Sequence, residues 1–243
     1  MRIQHHSPSS LNLFAASQSM YVLERILGRR QPVGAPAHRG TAVEDGVTLG
    51  LLNPDAPVAA CIEAAHKRYD RITALSADAR RERYRETIAD MVTTALEELR
   101  PYGIPSHTQG NVEWRPDGLQ YPIVGYYDFY WEAHGIIVDL KTTEKMPSEI
   151  KVPHARQVAL YTAAISDNID GRLTYCTPKK RATYRLENAR EHREALYQIA
   201  LRVERFLALS EEPEFFVGIT VPDLESFYWN GPARQLAYEH WKI

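Results

Sequence analysis

The stretch Gly125-Tyr126-Tyr127-Asp128-Phe129-Tyr130-Trp131-Glu132-Ala133-His134-Gly135-Ile136-Ile137-Val138-Asp139-Leu140-Lys141 carries charge where a strand pair would ordinarily carry apolar side chains. Aromatic and β-branched residues run from Ile123 to Trp131, Ala133-His134-Gly135 supplies a turn, and strand character resumes from Ile136 to Thr142, which predicts a β-hairpin. Side chains alternate along a strand, so Asp139 and Lys141 share a face. A two-residue loop at Ala133-His134 sets Asp128 opposite Asp139, and one at His134-Gly135 sets it opposite Lys141; a three-residue loop sends Asp128 to the other side. In either two-residue register the charges converge. Tyr127, Phe129 and Trp131, with Ile136, Val138 and Leu140, then form a face apolar enough to lie on a core. Two carboxylates facing each other across a ladder repel, which points to a missing cation, and oxygen-only ligands favour a hard ion such as Mg²⁺ or Mn²⁺. The plain alternative is an ion-pair cluster on a solvated sheet face.

Composition limits the function classes. The chain has 243 residues, 44% hydrophobic and 25% charged, which suits one large domain with a sizeable core. Its 29 Lys and Arg stand against 31 Asp and Glu, so no global charge favours nucleic acid and any such binding must be local. Only Cys61 and Cys176 are present, which excludes a disulfide framework and a four-cysteine cluster and fits a reducing compartment. The N-terminus lacks an apolar signal region and no run approaches a membrane span, so a cytoplasmic protein without a membrane partner is expected. No repeat and no GxxxxGK[ST] loop is found, which argues against an ATP-driven motor in this chain.

Around the hairpin, Ser7-Pro8-Ser9-Ser10 offers hydroxyl caps before a helical pattern of Leu11, Phe14, Met20, Leu23 and Ile26 that ends near Gly28. A helix through Ala37–Gly46 places Ala42, Val43, Val47 and Leu49 on the core, and carries Arg39 and Glu44 near each other. Two helices are expected between Asn53 and Arg100, with Arg80, Arg81, Arg83 and Arg85 among acids on a solvated, salt-bridged face. His107–Arg115 and Leu119–Trp131 are predicted strands around a Pro116-Asp117-Gly118 turn, completing a three-stranded meander with the hairpin. A helix opening at Pro153 puts Gln157 and Tyr161 one turn apart on a single face, placed to pack back on the sheet. Short strands at Arg172–Thr177 and Ala182–Leu186 flank the basic tip Lys179-Lys180-Arg181. Glu187–Leu209 is a long amphipathic helix, and the aromatic tail is expected as core and cover.

Gly125-x-x-Asp128, Asp139-x-Lys141 and Gln157-x-x-x-Tyr161 resemble the GxxD, DxK and QxxxY motifs of the PD-(D/E)XK nuclease superfamily in its RecB-like exonuclease branch. Arg39-Gly40-Thr41-Ala42-Val43-Glu44 resembles that branch's upstream motif, and Ser9-Ser10 with Phe14 its opening helix; the resemblance runs from about Ser7 to Leu186. A lone DxK is weak, but four motifs in order on the right elements are specific. Glu44 stands where the branch often has His, which makes the site richer in oxygen.

The resemblance implies an α/β (α+β) fold with a restriction-endonuclease-like core, a central mixed sheet flanked by helices. It implies a single nuclease domain over residues 1–243: a mainly helical part at 1–104, the catalytic sheet and helix at 105–186, and a C-terminal helix and cover at 187–243. It further implies a metal-dependent DNA exonuclease of recombination or end processing, the alternatives being a structure-specific or single-strand endonuclease and an inactive nucleic-acid-binding module. Glu44, Asp128 and Asp139, with the Leu140 carbonyl, would hold one or two Mg²⁺ or Mn²⁺, without an iron-sulfur cluster. Lys141 would orient or deprotonate the attacking water beside the catalytic Asp128 and Asp139, and Arg39, Gln157, Tyr161 and Ser10 would meet the substrate. DNA is the implied partner, with a single-strand-annealing or recombination protein beside it.

Overall fold

The hairpin forms as expected, with strands at Ile123–Trp131 and Ile136–Thr142, in a computed structural model that describes residues 3–243. The chain separates into two compact units. One comprises the described part of Met1–Pro32 with Glu113–Gly125 and Arg190–Ile243; the other comprises Val33–Val112 and Tyr126–Ala189.

The elements run α1 (Pro8–Ala16), α2 (Gln18–Tyr21), a π-helical turn (Val22–Ile26), α3 (Ala35–Leu52), α4 (Val58–Ile72), α5 (Arg81–Glu86) and α6 (Ile88–Leu99). Then come β1 (His107–Trp114), β2 (Ile123–Trp131), β3 (Ile136–Thr142), α7 (Val152–Ile165), β4 (Asp170–Cys176), β5 (Arg181–Arg185), α8 (Ala189–Leu207), α9 (Pro213–Ile219) and α10 (Pro232–Trp241). The five strands form one sheet in the order β1-β2-β3-β4-β5. β3 pairs antiparallel with β2 and parallel with β4, and β4 pairs antiparallel with β5, so the sheet is mixed and the architecture is the expected α+β one. The parallel step needs a crossover, and α7 provides it.

In the Val33–Val112 and Tyr126–Ala189 unit, the apolar face of the hairpin packs as its alternation predicts except at Tyr127, which is buried against Tyr130 and Tyr161 instead. Phe129, Trp131, Val138 and Leu140 join Ala42, Val43 and Val47 of α3, and Ile88, Met91, Val92 and Leu96 of α6, in one buried cluster. Full burial of such side chains contributes about 2 kcal/mol each. Against β4 lies α7, and Gly171 permits the approach: a Cβ there would stand 2.7 Å from Val158 Cγ1 and 2.9 Å from Thr162 Cγ2. Gly110 of β1 plays a similar part under an aromatic ring, since its Cβ would fall 2.1 Å from Tyr127.

Two continuous helices expected from the sequence are broken. Ser17 leaves helical geometry between α1 and α2, its N–H donating to the Leu13 carbonyl while its hydroxyl caps Met20 N–H. Thr87 separates α5 from α6, its hydroxyl donating to the Tyr84 carbonyl 2.9 Å away. The arginine run is salt-bridged as expected: Arg80 pairs with Asp78, Arg81 and Arg85 with Asp70, and Arg83 with Glu144.

In the other unit, Glu204 of α8 accepts from the Gln120 and Tyr121 N–H groups at 3.0 Å and meets His6 Nε2 at 3.0 Å. His6 also pairs by its backbone with Pro122 and Val124, so one carboxylate ties the N-terminal segment to the turn before β2. Met20, Leu23, Trp229, Ala233 and Ala237 form a second buried cluster. The aromatic tail divides: Phe216 and Trp229 are buried, whereas Phe227 is 83% exposed, its ring meeting only the edge of the neighbouring Tyr228 among the described aromatic rings. Among the described residues no helix is long and apolar enough to cross a membrane.

Candidate active site

The register of β2 on β3 decides whether the charges meet. Phe129 pairs with Val138, Tyr130 with Ile137 and Trp131 with Ile136, and just past the end of this paired stretch the Asp128 carboxylate turns to the Leu140 N–H, beside Asp139. The connection is a 3₁₀ turn, Glu132–His134, followed by Gly135 at φ 60°, closed by Gly135 N–H donating to the Glu132 carbonyl. A four-residue connection has the same parity as a two-residue one, which keeps Asp128 on the face of Asp139 and Lys141.

Asp139 is fully buried. Its Oδ1 lies 3.0 Å from the Tyr161 hydroxyl, and its Oδ2 lies 2.5 Å from Lys141 Nζ. That ammonium is the partner of Oδ2 in a buried ion pair. The Tyr161 hydroxyl also reaches the Tyr126 carbonyl at 2.6 Å and accepts from Gln157 Nε2 at 2.6 Å. Gln157 and Tyr161, one turn apart on α7, thus form a chain of hydrogen bonds ending on Asp139. Asp128 Oδ2 accepts from Leu140 N–H at 2.6 Å, and Glu44 Oε1 from the Gln109 side-chain amide at 2.9 Å.

Charge is unbalanced in this cluster. Burial and then the neighbouring Asp139 push the Asp128 carboxyl well above the ordinary carboxylate range. Glu44 is raised by burial, against the opposing pull of Gln109 and Lys141. For Lys141, burial pulls the ammonium down, but Asp139, Asp128 and Glu44 outweigh it, so its pKa lies above the usual lysine value. Burial and the two aspartates hold the Tyr161 phenol well above its usual range. One ammonium among three crowded carboxylates is a site that takes up positive charge, as protons or as a cation.

A divalent metal fits the chemistry of the donors. Every candidate ligand is a hard oxygen, and one ammonium, Lys141, stands against the carboxylates of Glu44, Asp128 and Asp139. Among the described residues no three His, Cys, Asp or Glu side chains are grouped as a ready-made cage. The carboxylates are instead held by Gln109, Leu140 N–H, Tyr161 and Lys141, and metal binding would exchange some of these partners.

Arg39 and Ser10 lie in other surroundings. Arg39 is buried on α3, where it donates to Thr87 Oγ1 at 3.2 Å and stacks over the Tyr84 ring at 4.7 Å, against the wall of a cavity of about 290 Å³ lined also by Arg83, Glu144 and Lys145. Ser10 belongs to the other unit, where it closes a capping box with Ser7 at the start of α1. Sequence reasoning missed Gln109, whose partner lies 65 positions away, and the pair His154 and Tyr175, joined at 2.7 Å. The position of His154, three residues before Gln157 on one helix face, was a usable signal.

The mixed sheet thus gathers Asp128, Asp139 and Lys141 on the face against which α7 sets Gln157 and Tyr161. The model of the PD-(D/E)XK nuclease superfamily matches residues 5–216, and the chain belongs to that superfamily; the match is consistent with the RecB-like branch. The protein is therefore a nuclease, a hydrolase whose substrate is nucleic acid, in a superfamily whose members usually use divalent metals such as Mg²⁺. No curated protein matches the chain. Among solved structures, one described as "Crystal structure of SSO0001" aligns at 15% identity with a TM-score of 0.38, over 79% of this chain and 96% of the other.

Proposed function

We propose that the protein is a metal-dependent deoxyribonuclease, an exonuclease acting on DNA ends in recombination or repair in the cytoplasm. The observation that carries the reading is the meeting of Glu44, Asp128, Asp139 and Lys141 on one sheet face beside Gln157 and Tyr161. Mg²⁺ or Mn²⁺, held by Glu44, Asp128, Asp139 and the Leu140 carbonyl, would supply an activated water and charge neutralisation at the phosphate. Tyr161 and Lys141 keep Asp139 in one orientation, and Leu140 N–H does the same for Asp128. Lys141, charged in the cluster as it stands, is suited to offset the charge that builds on the phosphate and to orient the attacking water. All four positions are filled, which favours an enzyme over an inactive binding module. The exonuclease mode and the DNA substrate rest on the ordered motifs of the RecB-like branch.

Linear duplex DNA labelled separately at each end, incubated with Mg²⁺, Mn²⁺ or a chelator, is expected to lose label progressively only with metal. Cleavage of circular single-stranded DNA at a comparable rate would replace the exonuclease with an endonuclease. DNA binding without nucleotide release in either metal would leave an inactive module.

A further inference from the structure

The β4–α7 edge of the centre holds a titratable pair that the proposed chemistry does not use. Tyr175 is the β4 partner of Lys141 in the parallel register, so its side chain points to the same face as Lys141 and Asp139, and it is almost fully buried. Its hydroxyl accepts from Lys151 N–H at 3.1 Å and lies 2.7 Å from His154 Nδ1. His154 sits in the first turn of α7, three residues before Gln157 and seven before Tyr161, and these side chains share one helix face. The stripe His154, Gln157, Tyr161 therefore runs along the charged face of the sheet.

The hydrogen bonds determine which imidazole nitrogen carries the proton. Lys151 N–H can only donate, so the Tyr175 oxygen accepts there and must place its own proton elsewhere. Among the described residues the acceptor it has is His154 Nδ1. Were Nδ1 to carry a hydrogen, the phenol proton would be buried without an acceptor, which folded proteins avoid. The neutral ring then bears its hydrogen on Nε2. His154 is half-buried, so Nε2–H has access to an incoming ligand.

We propose that His154 is a substrate-binding residue whose tautomer is set by Tyr175, so that Nε2–H is presented as a neutral donor to a backbone phosphate of the DNA strand next to the one being cut. The proposal rests on reading the centre as a nuclease site. A neutral donor suits this place: it orients a phosphate oxygen without adding a positive charge that would compete with a metal for the carboxylates. Burial, helped by the nearby Lys141 ammonium, holds the imidazole down to about 4, so the ring is neutral where nucleases work. The same logic assigns Lys151 N–H and Tyr175 as positioning groups, since they act only through His154.

Two measurements test it. Long-range ¹H–¹⁵N spectra of the free protein at pH 7, with the His154 ring identified by its absence in His154→Gln, are expected to show hydrogen on Nε2 and none on Nδ1. In Tyr175→Phe that preference is expected to relax toward a mixture. Hydrogen on Nδ1, or a doubly protonated ring, would overturn the assignment. In Ca²⁺, where binding is read by fluorescence anisotropy of a labelled duplex, His154→Asn keeps a polar atom near Nδ1 but loses the outward donor, and is expected to weaken binding about tenfold. His154→Gln places an amide N–H near Nε2 and is expected to stay within about threefold of wild type. Equal effects of the two substitutions, or none, in a wild-type protein that cuts DNA would overturn the proposal and leave the nuclease reading standing. A wild-type protein that neither binds nor cuts DNA, with the tautomer as expected, would overturn the nuclease reading and the phosphate contact while the Tyr175 pairing survived.

Discussion

Tyr161→Phe tests the hydrogen-bond chain that holds Asp139. The substitution leaves the ring in place and deletes a hydroxyl within reach of Asp139 Oδ1 at 3.0 Å, the Tyr126 carbonyl at 2.6 Å and Gln157 Nε2 at 2.6 Å. A hydroxyl has one proton, so at any instant it donates to Asp139 or to Tyr126, and the charged acceptor gains more from it. Gln157 is half-buried and can turn to water, whereas Asp139 is fully buried and its other oxygen is already taken by Lys141. Leaving a buried acceptor unpaired costs about 1–3 kcal/mol, more when it is charged, so the loss of stability is expected near 3 kcal/mol in chelator. In an Asp139→Asn background the acceptor is neutral and can rearrange, and the same deletion is expected to cost about 1–1.5 kcal/mol. The coupling between the two positions is then about 1.5 kcal/mol. Urea unfolding of the four proteins at pH 7, followed by tryptophan fluorescence and far-UV circular dichroism with coincident transitions, measures it. Effects that add within about 0.3 kcal/mol would show that Tyr161 serves the Tyr126 carbonyl and not the aspartate.

Asp139→Asn is expected to lower DNA cleavage by about 10³-fold or more while leaving the circular dichroism spectrum unchanged; cleavage near the wild-type rate would misplace the site. Lys141→Ala is expected to reduce kcat more than metal affinity, and an equal loss of both would make the lysine a partner of the carboxylates only. Gly110→Ala drives a methyl into Tyr127 and is expected to cost about 1–3 kcal/mol, largely recovered by adding Tyr127→Val; no recovery would place the strain in the backbone. Burial of His154 lowers its pKa to about 4, so between about 6.5 and 4 the unfolded chain binds the extra proton: the contribution to stability is present above about 6.5 and is lost as pH falls through that window. His154→Gln in chelator is expected to flatten the decline of urea midpoint with acid in that range, and an unchanged slope would count against the burial of the imidazole. The Cys176 thiol, buried and pushed up to about 12, is expected to stay unmodified by a thiol reagent until the protein unfolds, as read from the rate of labelling in native buffer and in urea.

Both strands of the hairpin were legible because their alternation is local. β-branched and aromatic residues at every second position specify a strand and an apolar face, and Phe129, Trp131, Val138 and Leu140 are buried together for that reason. Gln157 and Tyr161 were legible for the same kind of reason, since a spacing of four on a helix fixes a common face. The breaks at Ser17 and Thr87 were not, because each depends on a hydroxyl choosing a backbone partner over water, which periodicity does not register.

Sequence alone singled out the candidate site residues: Asp128, Asp139 and Lys141 on strands, Glu44 on an upstream helix and Gln157 with Tyr161 downstream, in an order that resembles one nuclease superfamily. The parity of the loop, and with it the meeting of Asp128 and Asp139, was left open between registers. That choice fell to the tertiary structure, where a four-residue turn ending in left-handed Gly135 seats the apolar face on α3 and α6. Only the fold could bring Glu44 to the strands, bury Asp139 and pair His154 with Tyr175. Those contacts join residues far apart in sequence, and their energies depend on burial, which no local pattern encodes.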